Sequence, residues 1–402
     1  MKNTKRNALL FLILLGFISL LSDFTHEGAR SIYGPYLGLI GVSAFLISFT
    51  AGLGEFIGQS LRIGMGYIAD RTKKYWTMMI IGYAVNLLVI PILMFIDATA
   101  WQVAIILILL ERVGKGIRAP AKSALTSFTT QHLGVGKAFA LQEAMDQIGA
   151  FLGPLFVYLI LNLNQGSELD GYQLAFGLLG IFAIMTLVMI VIAKAKYPNP
   201  EQFETTSQKQ GFKSNKPFLI YLLAIIFIAM GFIDYPVLAY HMGTSTIIDV
   251  IHVPLIYAFV MGIDALAAIG FGLLYDKKGV TSLVISTFLS IFIAPLFFLT
   301  KSEVGLFGGL VLWGMAMGAQ ESVLKAVISR LVTKEKRATA YGVFYTVFGS
   351  AWFLGSTIIG GLYEANLMAL VIFSSLMESL AMILLFLYHK SQKKNPKNDR
   401  AL

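Results

Sequence analysis

Leu174–Ala193 reads LAFGLLGIFAIMTLVMIVIA, twenty residues without one charged side chain. A helix needs roughly 20 apolar residues to cross about 30 Å of hydrocarbon, so this stretch fits a membrane span. It belongs to a span near 172–193, the sixth along the chain, and eleven further apolar stretches follow the same rule, near 8–38, 42–69, 76–96, 100–126, 137–163, 217–241, 254–275, 281–299, 305–330, 338–363 and 366–388. The whole chain of 402 residues is 57% hydrophobic and 13% charged, against about a quarter charged in soluble proteins. No water-soluble core can hide that excess. The absence of cysteine excludes a disulfide scaffold and thiolate metal sites. The expected fold class is an all-α membrane protein of twelve transmembrane helices.

Several stretches contain ionisable residues, which would also suit short buried helices, and the placement of the bases decides between the two. With both termini cytoplasmic, the inner segments hold 23 Lys and Arg, whereas the outer loops hold only Lys301. Such a bias fixes an even number of spans with both ends inside, in the cell membrane. The net charge of +9 is therefore an orientation signal and an attraction to anionic lipid heads; it does not mark a nucleic-acid partner. Lys2, Lys5 and Arg6 precede the first stretch as in a signal peptide, but no small-residue cleavage site follows and Asp23 and Glu27 lie within it. It is expected to remain as the first helix.

The longest polar stretch, 194–216, carries Pro198 and Pro200 and falls after the sixth span. It divides the chain into an N-terminal bundle at 1–193, a cytoplasmic linker, a C-terminal bundle at 217–390 and a basic tail at 391–402. A repeat supports the cut. Gly66, Tyr67, Ile68, Ala69, Asp70 and Arg71 are answered by Gly272, Leu273, Leu274, Tyr275, Asp276 and Lys277, so two pseudo-symmetric six-helix units are expected.

Gly66 and Asp70 are four residues apart and share a helix face, where glycine would admit a close neighbour and the carboxylate would stand at the inner membrane edge. A carboxylate there, followed by Arg71 and Lys74, could contact another helix end in only one conformation and so act as a latch; Asp276 repeats it. Gly66-x-x-x-Asp70-Arg71-x-x-Lys74 resembles the loop signature of the major facilitator superfamily. Arg112-x-x-x-Gly116 resembles its fourth-helix motif, and Gly149-x-x-x-Gly153-Pro154 the fifth-helix motif of its exporters. Ser22-Asp23 through Pro35, Glu55, and the run from Glu111 to Leu125 resemble a widespread prokaryotic branch of that superfamily. The resemblance spans the chain and implies a transporter of unstated cargo. Two departures stand out: Lys73 occupies a position usually held by glycine, and Leu155, Phe156, Val157 and Tyr158 replace a second glycine pair.

Ten acids and seven bases lie inside the spans. Each is costly in hydrocarbon unless paired or facing water, so they set the mechanism. Asp23, Glu27 and Arg30 form one stripe with His26 beside it. That stripe reads as a cavity wall, or more plainly as a Glu27–Arg30 structural pair. Arg112 lies roughly 16 Å into its span at 1.5 Å per residue and needs a carboxylate. Asp146, in line with Gln142, Gly149 and Gly153, is the expected partner. A carboxylate near an arginine keeps its charge, and the same group desolvated gains proton affinity, so alternating access could load and release protons. Glu55 joins these candidates. In the second half Asp264, with Asp234 behind it, is the candidate for cation or proton contact, Glu321 and Lys325 read as an i, i+4 pair, and Glu378 is left outside the site. Tyr33, Tyr36, Tyr235, Tyr240 and Trp313 suit either a pocket or headgroup belts. The clustering of charges between Glu111 and Lys122 has no explanation at this level.

No nucleophile elbow, His-Glu-x-x-His or phosphate loop is present, so no enzyme, cofactor or metal site is expected. These readings converge on a secondary transporter working by alternating access, a monomer that moves a small organic solute, with protons as coupling ion. Export by antiport is the favoured direction. The alternative is proton-coupled uptake or facilitated diffusion of a small metabolite, anions included.

Overall fold

The computed structural model describes residues 2–133, 135–199, 216–245, 247–331 and 337–393. Among them there is no strand. The helices are α1 (Lys2–Leu39), α2 (Ala44–Thr72), α3 (Tyr75–Ile92), α4 (Trp101–Leu133), α5 (Val135–Leu163), α6 (Glu168–Lys196), α7 (Lys216–Gly231), α8 (Tyr235–Thr244), α9 (Val253–Lys278), α10 (Thr281–Ser290), α11 (Glu303–Leu331), α12 (Arg337–Ala365) and α13 (Leu367–Lys393). The greater part of the expected linker, 200–215, and of the tail, 394–402, lies outside the described residues.

Ten segments of the described chain are long and apolar enough to cross a membrane, with α7 and α8 forming one and α10 with its π-helical extension Pro295–Leu299 another. The expected spans at 100–126 and 305–330 correspond to α4 and α11, which are not among the ten. On α4 the cause is the run Glu111, Arg112, Lys115, Arg118 and Lys122. On α11, five glycines and the polar pair Gln320–Glu321 dilute the hydropathy. The outward face of α6 has the opposite character: Ile181, Ile184, Val188 and Val191 are each more than half exposed. Their spacing of three and four residues makes an apolar stripe suited to lipid.

By contacts the chain forms two compact units. One is built from Met1–Ser43, Leu53–Ser207 and Leu238–Phe259, the other from Ala44–Gly52, Gln208–Val237 and Val260–Leu402. In the first, α1 crosses α5 at two glycines. A Cβ on Gly149 would collide with Leu20 O and Phe24 N, and one on Gly153 with Phe24 O and Gly28 N. Small residues let backbones approach and gain dispersion contacts where lipid offers no hydrophobic drive. Similarly α3 meets α4 where Gly114 lies on the Asn86 backbone and Gly82 on Arg118.

The second unit has a core of Phe218, Tyr221, Ile225, Val323, Leu324, Phe344 and Leu385. Tyr221 donates its hydroxyl to Leu324 O at 2.8 Å. Gly318 of α11 lies on the backbone of Asp264 and Ala268 of α9. Gly355 of α12 lies on the Met230 carbonyl of α7 as Gly153 of α5 lies on that of Phe24.

Candidate functional site

The unexplained charges of α4 acquire a role in the first unit. Glu111, Arg112, Lys115, Arg118 and Lys122 recur at helical spacing along one face, and that face meets carboxylates from three other helices. Arg112 Nη1 bonds Glu55 Oε1 of α2 at 2.7 Å, and its Nε lies 3.3 Å from Glu111 Oε2. Arg118 Nη2 stands 3.6 Å from Asp23 Oδ1 of α1. Lys122 donates to Asp146 Oδ2 of α5 at 2.8 Å. The expected pairing of Asp146 with Arg112 is thus replaced: Glu55 holds Arg112, and Asp146 is held by Lys122.

His26 links these pairs. Its Nδ1 lies 2.9 Å from Glu111 Oε1, while Lys115 Nζ approaches its Nε2 at 3.2 Å and Glu27 Oε1 stands 3.5 Å from that nitrogen. With Lys115 donating to Nε2, the ring proton belongs on Nδ1, facing Glu111. Glu27 Oε2 is 3.5 Å from Arg30 Nη1, the structural pair read from the sequence, and accepts the Tyr257 hydroxyl of α9 at 2.6 Å. On the other side of Glu111, Asn86 of α3 donates to both its backbone and side-chain oxygens. The Asn86 Oδ1 then accepts from Arg118 Nε at 3.0 Å. Arg118 also donates to the Tyr83 hydroxyl at 3.1 Å and stacks over that ring at 4.4 Å.

Among the described residues, Asp23, Glu27, Glu55, Glu111 and Asp146 therefore meet Arg30, Arg112, Lys115, Arg118 and Lys122, with Glu27, Glu111 and Lys115 placed against the His26 imidazole. Their exposure separates them. Side chains of His26 and Glu111 are fully buried, whereas Asp23, Glu55 and Asp146 retain 19%, 18% and 22%. The centre of the network is closed, and the carboxylates around it keep part of their surface open. Sequence reading singled out Asp23, Glu27, Arg30, Glu55, Arg112 and Asp146, which the structure brings together; it offered Lys115 and Arg118 only as receivers of an anion, counted Glu111 and Lys122 without a role, and missed Asn86 and Tyr257.

The remaining candidates lie elsewhere. Asp264 is buried on α9 of the second unit, and the Lys325 side chain is outside the described residues. Asp70, Arg71 and Lys74 are exposed around the end of α2, and Asp276 around that of α9. A Cβ on Gly66 would meet only Pro120, at 3.8 Å, and one on Gly272 would meet nothing within 4 Å. No tight neighbour sets these glycines, contrary to expectation. Gly149, Gly153 and Pro154 pack α5 on α1 as read. Tyr33, Tyr36, Tyr235 and Trp313 are buried in protein, not set in a headgroup belt. Among the described residues no cluster of three or more His, Asp or Glu is placed to hold a metal.

Comparison with known proteins gives one consistent family. The family model described as Major Facilitator Superfamily matches residues 12–356 and again 235–401. The uncharacterized protein Rv2265 of Mycobacterium tuberculosis (strain ATCC 25618 / H37Rv) is 34% identical over 94% of this chain and 92% of its own. The uncharacterized MFS-type transporter MJ1317 of Methanocaldococcus jannaschii is 28% identical over 92% and 93%. Among solved structures, a mutant form of the nucleoside transporter NupG superposes with a TM-score of 0.75 at 14% identity, covering 94% of this chain and 98% of that one. A D-xylose-proton symporter gives 0.72 at 12%, covering 94% and 96%. The fold is that of these transporters, and the chain is a multi-pass membrane transporter of small molecules, not an enzyme. It belongs to the Major Facilitator Superfamily.

Proposed function

We propose that the protein is a twelve-span, monomeric secondary transporter of the cell membrane, with cytoplasmic termini and two six-helix halves at 1–193 and 217–390, exporting a small organic solute in exchange for protons by alternating access. The observation that carries this reading is the Lys122–Asp146 pair, 2.8 Å apart with 18% and 22% of the side chains exposed. Two charges so placed can separate and be rejoined through water, whereas a sealed pair would be a permanent tie. Asp23, facing Arg118 across 3.6 Å, is a second group of the same kind. Glu27, Arg30, Glu55 and Arg112 tune the field in which both are held, and Asp70, Arg71, Lys74 and Asp276 form the latch. In the second half Asp264 offers a further acid, and the acid surplus there suits a cationic or amphiphilic solute.

The test is purified protein in liposomes with an internal pH dye, screened with cationic, anionic and zwitterionic compounds under an imposed pH gradient. Solute movement with stoichiometric proton counterflow supports the proposal, and movement that never carries protons rejects it. A second reading, uptake or facilitated diffusion of a small anion, draws on Arg30, Arg112, Lys115 and Arg118 around one imidazole; in the same assay it predicts inward flux of anionic compounds.

A further inference from the structure

The seventh span is broken in its middle. Helix α7 stops at Gly231, Phe232–Asp234 are not helical, and α8 resumes at Tyr235. A helix that stops leaves the carbonyl groups of its last turn without partners four residues on. Phe232 N–H still serves Ile228 O, Ser374 Oγ of α13 donates to Gly231 O at 2.7 Å, and Trp313 Nε1 of α11 donates to Ile233 O at 2.7 Å. The carbonyls of Ala229 and Met230 lose their helical donors, because residues 233 and 234 have left the helix; that of Met230 is covered by Gly355 of α12, which leaves Ala229 with the open carbonyl. Such a carbonyl end carries a partial negative charge.

Two acids meet this end. Asp234 closes the break, Oδ1 accepting Tyr235 N–H at 2.8 Å and Oδ2 accepting Trp352 Nε1 at 3.3 Å. Glu378, from the middle of α13, has its Cγ 3.3 Å from where a Cβ on Gly231 would stand. It is 1% exposed, and neither of its carboxyl oxygens has a hydrogen-bond partner among the described residues. The surroundings are aromatic: Phe232 lies 5.5 Å from Trp313 and 5.2 Å from Trp352. A bare carboxylate in such a place, beside the negative end of a helix, is expensive, and a bound cation relieves both charges at once. Broken helices whose free carbonyls lie beside an acid hold small ions in membrane proteins.

The repeat places this break with some meaning. The matching carbonyl contacts of Gly153 on Phe24 and Gly355 on Met230 align Phe232–Asp234 with His26–Gly28 of α1, the level at which the first half carries its charged cluster.

We propose that Glu378 and the carbonyl end of α7 bind a small monovalent cation, sodium, with Asp234 deepening the negative potential around it. The experiment uses full-length detergent-purified protein at fixed pH and ionic strength in sodium, potassium or choline chloride, reading thermal stability and the binding of radioactive sodium. Sodium raises the wild-type Tm saturably, and Glu378→Gln, a neutral isostere, removes that shift and lowers sodium affinity by about tenfold or more. Asp146→Asn keeps the shift, which separates this site from the proton path; its loss there would place the ion elsewhere and overturn the assignment. Equal Tm in all three salts with no sodium bound, a shift that survives Glu378→Gln, or a wild-type Tm that follows pH and ignores sodium would each overturn it. Should Glu378→Gln fail to fold, Glu378→Asp takes its place: a weakened but saturable sodium shift supports the site, and an unchanged sodium affinity overturns it.

Discussion

Lys73 and Gly279 hold the same left-handed backbone turn, at φ +58° and +59°, one after α2 and the other at the end of α9. Each turn closes through an equivalent bond, from Lys73 N–H to Ala69 O at 2.9 Å and from Gly279 N–H to Tyr275 O at 2.7 Å. The repeat visible in side chains therefore extends to dihedral angles. It also gives the physical reason that a glycine is usual where Lys73 stands. A Cβ in this conformation costs roughly 1–2 kcal/mol. Lys73→Gly should therefore raise stability, and Gly279→Ala lower it, by about 1 kcal/mol each. Opposite shifts of the melting temperature in detergent would show it; shifts of one sign would not fit.

Gly153 and Gly66 both belong to motifs, yet the structure separates their roles. Gly153→Val drives a branched side chain into the backbone of α1 and should abolish folded protein, or lower its stability by about 3 kcal/mol or more. Gly66→Ala meets only Pro120 at 3.8 Å and should fold normally. Size-exclusion profiles and melting curves of the two variants provide the comparison.

Asp146→Asn leaves Lys122 without its carboxylate and should cost about 1–3 kcal/mol of stability. Adding Lys122→Met removes the orphaned charge and should recover most of that loss. Gradient-driven transport should stay absent in both variants if Asp146 exchanges protons. Recovery of pumping together with stability would show the pair to be structural.

Glu111 is the fully buried acid at which His26, Arg112 and Asn86 meet. Removing one partner of a buried ionic network is strongly destabilising, so Glu111→Ala should cost about 3–5 kcal/mol, more than any change at Asp23 or Glu55, whose side chains retain contact with solvent. Melting curves of the three alanine variants rank them directly.

Much of this architecture is legible in the amino-acid sequence. Leu174–Ala193 can be little else than a span, and Gly66 to Arg71 with Gly272 to Lys277 discloses the repeat. The pairing of charges is not legible by helix face alone, because Asp146 shares a face with glycines whatever lies opposite. Height along the hairpin is the missing information. Lys122 and Asp146 are equally far along the chain from residue 134, between α4 and α5, and Asn86 and Glu111 are nearly so from the connection between α3 and α4. Residues equidistant from a hairpin turn lie at one level, whereas Arg112 is far from the level of Asp146. The break at Phe232–Asp234 leaves no comparable trace, since FID is as apolar as its flanks apart from one acid.

The seam at Gly149 and Gly153 also constrains how the molecule can work. With backbone against backbone at these glycines, α1 and α5 carry Asp23, Glu27 and Asp146 on one packed pair of helices, so under the proposed mechanism the Lys122–Asp146 pair opens by a shift of α4 against those two helices. Because the native chain has no thiols, paired cysteines can be introduced without background. Clamping α1 to α5 should leave turnover intact, whereas clamping α4 to them at the height of residues 122 and 146 should arrest the cycle.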